Sequence, residues 1–291
     1  MKSIATTILS AAIALLTVAT GYAQSGVLTG SYVPPDAAYE NDNYFKRVIP
    51  YPHLREADVM YKKRVWQDID LEQKFNQPFY YPQEPIANRK NLIDVIKMGL
   101  EEERIIAYAP INLDDEFRHP ILTKDEVNAL FTKTDQIDVY DQETLEYLGK
   151  KDTIAPINFE NIKRYRIKEE WIWDKQRSER YVRILGIAPM MLEMEGDVEL
   201  GYTPMFWLYY PHCREWFASD EAEVYNIFND AQRRTYEDLF QKRYFSSYII
   251  KEDNAFDRYI SKYATDPLWQ LAESERIQQE LFNLEHDLWH Y

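Results

Sequence analysis

The sequence predicts an α+β fold with a central antiparallel sheet, helices on its flanks, long C-terminal helices and an extended N-terminal arm. Two observations support this prediction. Residues from about 162 to 192 form two stretches of strand-like pattern around a polar turn, and residues 203–210 form a third, mostly apolar one. From about residue 221 onward, apolar side chains recur at helical spacing instead.

The first 23 residues have the pattern of a secretory signal. Lys2 provides a basic start, an apolar stretch follows, and small residues precede a cleavage site between Ala23 and Gln24. An uncleaved membrane anchor is the alternative interpretation, because about 17 apolar residues just span a bilayer. No cysteine lies near position 23, so we expect no lipid anchor on this chain, and no later run is long enough for a membrane span.

Residues 24–52 are predicted to form an extended arm. Prolines at 34, 35, 50 and 52 disfavour regular structure, and five aromatic side chains make the segment too apolar for an idle linker. We therefore expect the arm to lie on another surface, either of this chain or of a neighbour. Residues 53–291 are predicted to form a single α+β domain, with a possible subdivision near 150.

Short elements precede the sheet in the predicted order. Apolar spacing predicts helices over 56–70 and 88–103, and a short apolar run at 105–108 favours a strand. Thr123 and Glu126 form a capping box that begins a helix through Phe131. A further short strand is predicted over 137–140.

The central hairpin has the clearest pattern. In the stretch 162–174, one parity holds aromatic and aliphatic residues and the other holds charged ones, as a half-buried strand requires. The polar segment 174–180 closes the turn, and 181–192 returns. The alternating residues of the first strand are Tyr165, Ile167, Trp171 and Trp173 against Arg164, Arg166, Lys168 and Glu170.

Helices are predicted to complete the fold. Asp220 and Glu223 have the spacing of a capping box before a helical stretch that extends to about Tyr248. Asp266 caps a last helix with Pro267 at its first position. Along this helix one narrow apolar stripe is formed by Ile277, Leu281, Leu284 and Leu288.

Composition limits the possible partners. The chain of 291 residues has a formal net charge of −15, which argues against a nucleic-acid partner because phosphates would be repelled. It contains 23 Tyr, 13 Phe and 7 Trp but only 8 Gly, so aromatic side chains are abundant and close backbone approach to a ligand is rarely available. Abundant aromatics are typical of proteins that pack against partners.

Two patterns resemble catalytic or metal sites. His286 and His290 stand four residues apart, as in a zinc-protease helix, but Asp287 replaces the usual glutamate and only Tyr291 follows. We expect no metal or catalytic residue here, and a secreted zinc hydrolase that uses these histidines is an alternative. Acidic runs at 101–103 and 114–116 fit a solvated surface better than a calcium site.

The single cysteine and the basic residues leave alternatives open. Cys213 is either buried as a small apolar side chain or paired with a partner subunit through an inter-subunit disulfide. His212 precedes it but would point away from it on a strand. Arg233, Arg234, Lys242 and Arg243 form either a basic docking stripe on one helix or pairs with nearby acids.

Several segments of the sequence together carry a family resemblance. They are 65–71 with 79–82, 165–171 with 174–177, 206–213, 229–231 through 245–248, and 275–277 through 288–290. Taken together, these segments resemble the GldN/PorN family, a periplasmic component of the type IX secretion and gliding-motility machinery. The resemblance extends from about Tyr44 to the C-terminus.

The resemblance implies a non-enzymatic ring subunit without cofactors. It implies assembly with an outer-membrane lipoprotein of the GldK/PorK type, contact with the periplasmic part of a GldM/PorM type motor subunit, and self-association within a ring. The expected location is the periplasm, with the lipoprotein as the link to the outer membrane. A periplasmic protein that binds a small ligand between its aromatic side chains is a further alternative.

Overall fold

The computed structural model describes residues 47–86, 89–110, 117, 121–140, 147–156, 161–195, 198–226, 229 and 232–287. Over these residues the chain has the predicted α+β fold. The helices are α1 Gln77–Tyr80, α2 Leu92–Glu101, α3 Lys124–Leu130, α4 Tyr210–Phe217, α5 Tyr236–Gln241 and α6 Pro267–Asp287. The strands are β1 Val59–Asp70, β2 Ala107–Tyr108, β3 Thr132–Tyr140, β4 Tyr147–Pro156, β5 Ile162–Asp174, β6 Glu179–Glu195, β7 Val198–Pro204, β8 Trp207–Tyr209, β9 Glu223–Val224, β10 Arg234–Thr235 and β11 Tyr248–Glu252.

Seven of these strands form one sheet. Its order is β11-β1-β5-β6-β8-β2, and β7 pairs with the distal part of β6. Every pairing in this sheet is antiparallel. The strands β3 and β4 form a separate two-stranded hairpin, and β9 pairs with β10. The central antiparallel sheet is thus confirmed.

The hairpin of β5 and β6 is the centre of the sheet. Ile167 pairs with Ile187 and Asp174 pairs with Glu179, so the turn lies where the polar segment was predicted. Ser178 in this turn has a φ of 53°, a left-handed conformation that suits a tight polar turn. Both of the predicted hairpin strands are confirmed, and β6 runs three residues further than expected.

Packing separates the two faces of the sheet. Tyr165 and Ile167 of β5 are 1% and 0% exposed and lie in the main core with side chains of α2, α4 and α5. The opposite parity of β5 carries Arg164, Arg166 and Lys168, as the alternation predicts. Side-chain parity therefore places charged residues on one face and the core on the other.

The last helix, α6, covers one edge of the sheet. Ile277 and Leu281 are 0% and 1% exposed and pack with Val65, Trp173 and Ile249. The amide of Ile249 in β11 donates to Ser274 Oγ at 2.8 Å, which satisfies a backbone group of the edge strand. The helix begins at Pro267 as predicted, and Leu284 continues the apolar stripe. Leu288 lies outside the described residues.

Local capping signals account for the helix starts. The capping box of Thr123 and Glu126 is present, and the threonine amide donates to the glutamate at 2.7 Å. A second capping box joins Thr235 and Asp238 at the start of α5. The predicted helix 88–103 corresponds to α2, and the predicted strand 105–108 to β2. The predicted strand 137–140 lies within β3, which begins five residues earlier.

Three element predictions were wrong. The predicted helix 56–70 is a 3-10 turn followed by strand β1, in which residues 65–69 are all buried. The predicted strand 203–210 is divided between two strands, because Thr203 and Pro204 end β7 and Trp207–Tyr209 form β8. Helix α4 then begins at Tyr210, where Pro211 suits the first turn of a helix. The predicted helix from about 221 to 248 is instead the short helix α5 flanked by three strands.

The predicted capping box of Asp220 and Glu223 is also absent. Glu223 lies in β9, where its carboxylate accepts from Arg233 at 2.7 Å. This ion pair joins β9 to the residue that precedes β10, so Glu223 stabilises the pair of strands and does not cap a helix. Among the described residues, none of the helices is long and apolar enough to cross a membrane.

Candidate interaction surface

The charged face of the sheet begins with a pairing between β1 and β5. The strand register places Asp68 opposite Arg166 and Asp70 opposite Arg164. Arg166 donates from Nε and Nη2 to the two carboxylate oxygens of Asp68, at 2.8 and 3.0 Å. Burial lowers the pKa of Arg166, but the hydrogen bond and charge of Asp68 outweigh it and raise that pKa. This bidentate pair is therefore a fixed, charged part of the face.

Arg164 interacts more weakly with Asp70 than Arg166 does with Asp68. Its Nη2 lies 3.8 Å from Asp70 Oδ2, too far for a hydrogen bond, and its Nε is buried with no hydrogen-bond partner. The guanidinium instead stacks over the ring of Tyr202, 4.0 Å from the centroid. Because its side chain remains 30% exposed, Arg164 presents donors for an incoming carboxylate.

Tyrosines from distant parts of the chain surround these arginines. Tyr202 comes from β7, Tyr248 from β11 and Tyr259 from the loop before α6, and Arg166 lies 5.6 Å from the ring of Tyr259. Burial raises the pKa of Tyr248 to about 12, with a further contribution from the charge of Asp68. Its hydroxyl therefore remains a hydrogen-bond donor throughout the physiological pH range.

Together these side chains form a cleft of about 390 Å³, here called the arginine–tyrosine cleft. One wall of the cleft is formed by apolar side chains of α6 and of the segment that precedes it, including Ile260, Pro267 and Leu271. Leu268, Trp269 and Leu271 on the first turns of α6 are 75%, 52% and 51% exposed. An exposed apolar patch beside stacked arginines and tyrosines has the composition of a protein-binding surface.

A second charged cluster joins residues 49–52 to the body of the domain. Arg214 of α4 is buried, pairs with Glu237 of α5 at 2.7 Å, and donates to the carbonyl of Ile49 at 2.9 Å. Tyr51 stacks on Arg214 at 4.1 Å. The C-terminal end of the predicted arm thus lies on this chain's own surface. Residues 24–46 lie outside the described part of the chain.

Burial dominates the electrostatics of this cluster. It raises the pKa of Glu237, and hydrogen bonds from Tyr210 and Arg214 only partly offset it. The Tyr210 hydroxyl donates to the other oxygen of Glu237, and burial raises the pKa of Tyr210 well above its ordinary value. Tyr210 and Arg214 thus donate to the two oxygens of the Glu237 carboxylate, and this buried network is consistent with a structural role.

Cys213 is buried in the main core. It lies on helix α4 rather than on a strand, and its thiol donates to the carbonyl of Tyr209 at 3.3 Å. Burial raises the pKa of the thiol to about 12. The interpretation as a small apolar side chain is confirmed, while the inter-subunit disulfide remains a prediction. The ring of His212 packs edge-on against Tyr209, with centroids 4.7 Å apart.

The histidine pair is only half described. His286 is exposed near the end of α6, and His290 lies outside the described residues. In the part of the chain that the structure describes, no group of three or more His, Cys, Asp or Glu side chains is arranged to hold a metal ion. The acidic run at 114–116 and the cleavage site at Ala23 and Gln24 also lie outside that part.

The basic residues near α5 pair with acids from different elements. Arg233 contacts Glu223, Lys242 contacts Asp238 at 3.4 Å, and Arg243 contacts Glu169 of β5 at 2.6 Å. They do not share one helix, because α5 ends at Gln241. The placement of these residues as one stripe on a single helix is therefore wrong. Arg233, Lys242 and Arg243 pair with acids, whereas Arg234 donates to Gln232 at 3.1 Å and lies over the ring of Tyr244.

Sequence reasoning placed Arg164 and Arg166 on the face opposite the core but missed the tyrosines that complete the cleft. Tyr202 and Tyr248 were assigned no role, and Tyr259 lies in a loop without a period. Since these residues meet only through the strand order of the sheet, no local pattern indicates the cleft. An excess of tyrosine in the composition was the only signal available.

Comparison with known proteins gives one family. The sequence model of a family described as "Gliding motility associated protein GldN" matches residues 54–290. The match includes every residue of the arginine–tyrosine cleft. No curated protein matches the chain.

Proposed function

Because this chain belongs to the GldN family and is a gliding motility associated protein, we propose that it is a structural subunit of a periplasmic secretion and motility ring. The family match over residues 54–290 carries this proposal. Under this proposal, the chain has no enzymatic role. It assembles with an outer-membrane lipoprotein of the GldK/PorK type, contacts the periplasmic part of the GldM/PorM type motor subunit, and associates with further copies of itself.

The arginine–tyrosine cleft supports a binding role. Its arginines and tyrosines belong to the residue types that dominate binding energy at interfaces, and its apolar wall continues onto exposed side chains of α6. Arg164 makes no hydrogen bond with Asp70 and remains 30% exposed, so its guanidinium can donate to a carboxylate of a bound partner. We assign the cleft to the lipoprotein contact.

Co-purification with the lipoprotein tests this assignment. Detergent-extracted lipoprotein is mixed with the wild-type chain, with Arg164→Gln, and with Leu271→Asp, and complexes are separated by size. Both variants are expected to lose most of the complex. Each removes a contact of the cleft, and Leu271 is exposed enough for its replacement to leave folding intact.

A matched control is Ile121→Asp, which changes a side chain that is 60% exposed and lies outside the cleft. It should bind like the wild type. If the wild-type chain fails to form any complex with the lipoprotein, the ring proposal itself is wrong. If it binds and both cleft variants bind equally well, only the assignment of the cleft is wrong.

A further inference from the structure

An apolar groove lies apart from the cleft. It encloses about 480 Å³ between α1, the segment that follows α1, and the residue that follows β9. Its walls include Pro78, Tyr81, Pro82, Ile86 and Tyr225. Three of these side chains are unusually exposed for apolar residues, with Tyr81 at 50%, Ile86 at 62% and Tyr225 at 46%.

Among the described residues that line the groove, Arg89 is charged and lies beside the aromatic wall. The guanidinium of Arg89 lies 4.9 Å from the ring centroid of Tyr225, and Arg89 lines the groove. Rigid tyrosine and proline surfaces with a nearby arginine suit an extended proline-rich peptide that carries an acid. Such peptides bind aromatic-lined grooves because their backbone is already close to the bound conformation.

The sequence itself contains a segment with this chemistry. Residues 32–36 read Tyr-Val-Pro-Pro-Asp within the predicted arm, and Glu40 and Asp42 add acidic charge just beyond. The two prolines favour a polyproline conformation, and Asp36 follows them directly. An extended, proline-rich segment and an open groove with aromatic and proline walls are therefore complementary in shape and in apolar character.

We propose that the groove of one copy binds residues 32–36 of a second copy. This inference rests on the proposed self-association within a ring. A closed ring needs a head-to-tail contact, in which each copy offers two different and complementary surfaces. The arm segment and the groove form such a pair, so each copy gives its arm to one neighbour and receives an arm from the other.

Photo-cross-linking of the full mature chain tests the proposal. Tyr32 is replaced by a benzophenone amino acid, and this labelled chain is mixed with an unlabelled heavy-isotope copy before irradiation. The expected product joins position 32 of the light copy to the groove of the heavy copy, at Tyr81, Pro82, Ile86 or Tyr225. Cross-links confined to one copy, or between copies at sites outside the groove, would overturn the proposal.

Substitutions on both sides complete the test. Ile86→Asp in the heavy copy and the double change Pro34→Ala, Pro35→Ala in the light copy should each lower the yield roughly tenfold, as loss of a central contact does. The control Phe256→Asp alters a side chain that is 73% exposed and lies outside the groove, and should not change the yield.

The same proteins separate this inference from the proposed function. Ile86→Asp should retain lipoprotein binding while it loses association with other copies, and circular dichroism confirms that it remains folded. If Ile86→Asp still associates with other copies to the wild-type extent, the groove is not the contact, although lipoprotein binding and the ring proposal stand. Absence of lipoprotein binding by the wild type would instead refute the proposed function.

Discussion

Replacement of Arg243 tests whether the buried carboxylate of Glu169 needs a cation for the fold to be stable. Arg243 follows the C-terminal end of α5 with a φ of 54°, a left-handed conformation in which glycine is usually favoured. The amide of Tyr244 donates to the carbonyl of Leu239 at 2.8 Å, as expected at such a helix end. We therefore infer that the contacts of the Arg243 side chain stabilise the folded state by more than the left-handed backbone conformation destabilises it.

The ion pair with Glu169 explains why an arginine rather than a glycine occupies position 243. Glu169 of β5 is 0% exposed, and it accepts from Arg243 at 2.6 Å, from Gln67 at 3.0 Å and from Trp171 at 3.1 Å. Arg243 is the cation in this network. Without it, the buried carboxylate keeps two neutral donors but has no opposite charge within the network.

The substitution Arg243→Gly separates side chain from backbone. Glycine adopts the left-handed conformation without the roughly 1–2 kcal/mol cost of other residues, and this offsets its greater freedom in the unfolded chain. Breaking a buried ion pair from one side costs about 3–5 kcal/mol. Because Arg243 is 36% exposed and water can partly replace it, we expect a loss of about 3 kcal/mol.

Urea and thermal unfolding measure this loss. For a chain of this size, the midpoint of thermal unfolding should fall by roughly 6–12 °C. The double variant Arg243→Gly, Glu169→Gln should recover part of the loss, since a neutral amide needs no cation. A loss below about 1 kcal/mol, or a double variant no more stable than the single one, would refute the assigned role of the pair.

Three further outcomes are expected. Gly99→Ala should lower the free energy of unfolding by about 1–3 kcal/mol in urea titration, because a methyl group there would lie 2.6 Å from Trp216 Nε1; an unchanged midpoint would contradict this packing. Cys213 should not react with iodoacetamide at pH 8 until urea unfolds the chain, because burial raises its thiol pKa to about 12; rapid labelling of the native protein would contradict the burial. Burial also raises the pKa of Asp94 above its ordinary 3.8, with Lys97 only partly offsetting it, so the folded state holds this proton more tightly. The free energy of unfolding should therefore fall as pH rises through the interval just above 3.8, and Asp94→Asn should flatten that slope; an equal slope in both proteins would contradict the shift.

The hairpin of β5 and β6 was predictable because its signal is local. Charged and apolar residues alternate without interruption from Arg164 to Lys168, and period two has no helical equivalent. The capping box at Thr123 was equally readable, since all of its atoms lie within four residues. Signals confined to one turn or one strand thus remained valid in the folded chain.

Strand β1 was not predictable for the opposite reason. Its buried positions include Gln67 and Asp68, which are 4% and 2% exposed and are satisfied by β5 side chains about 100 residues away. Polar residues at buried positions hide the alternation, and Val65, Trp66 and Ile69 then fit a helical spacing. Long-range partners made these polar residues compatible with burial, so the sequence pattern misled.

The candidate cleft shares this dependence on long-range pairing. The alternation of β5 predicts the face on which Arg164 lies. Tyr202 lies near Arg164 only because β5 pairs with β6 and β6 with β7, and Tyr248 only because β5 pairs with β1 and β1 with β11. Recognition surfaces built across neighbouring strands therefore follow from topology rather than from spacing. The abundance of tyrosine indicated that such surfaces exist but not where they lie.

Charge links the fold to the proposed assembly. Each copy has a net charge of −15, so neighbouring copies in a ring repel one another, although salt screens this repulsion beyond about 8 Å at physiological ionic strength. Stable contacts between copies must therefore be short-range and largely apolar, as the groove of Tyr81, Ile86 and Tyr225 is. The arginine–tyrosine cleft has a different character, because Arg164 makes no hydrogen bond with Asp70 and its partly exposed guanidinium can donate to a carboxylate at short range. The two surfaces are therefore suited to different tasks, the groove to contact between like copies and the cleft to capture of a different protein.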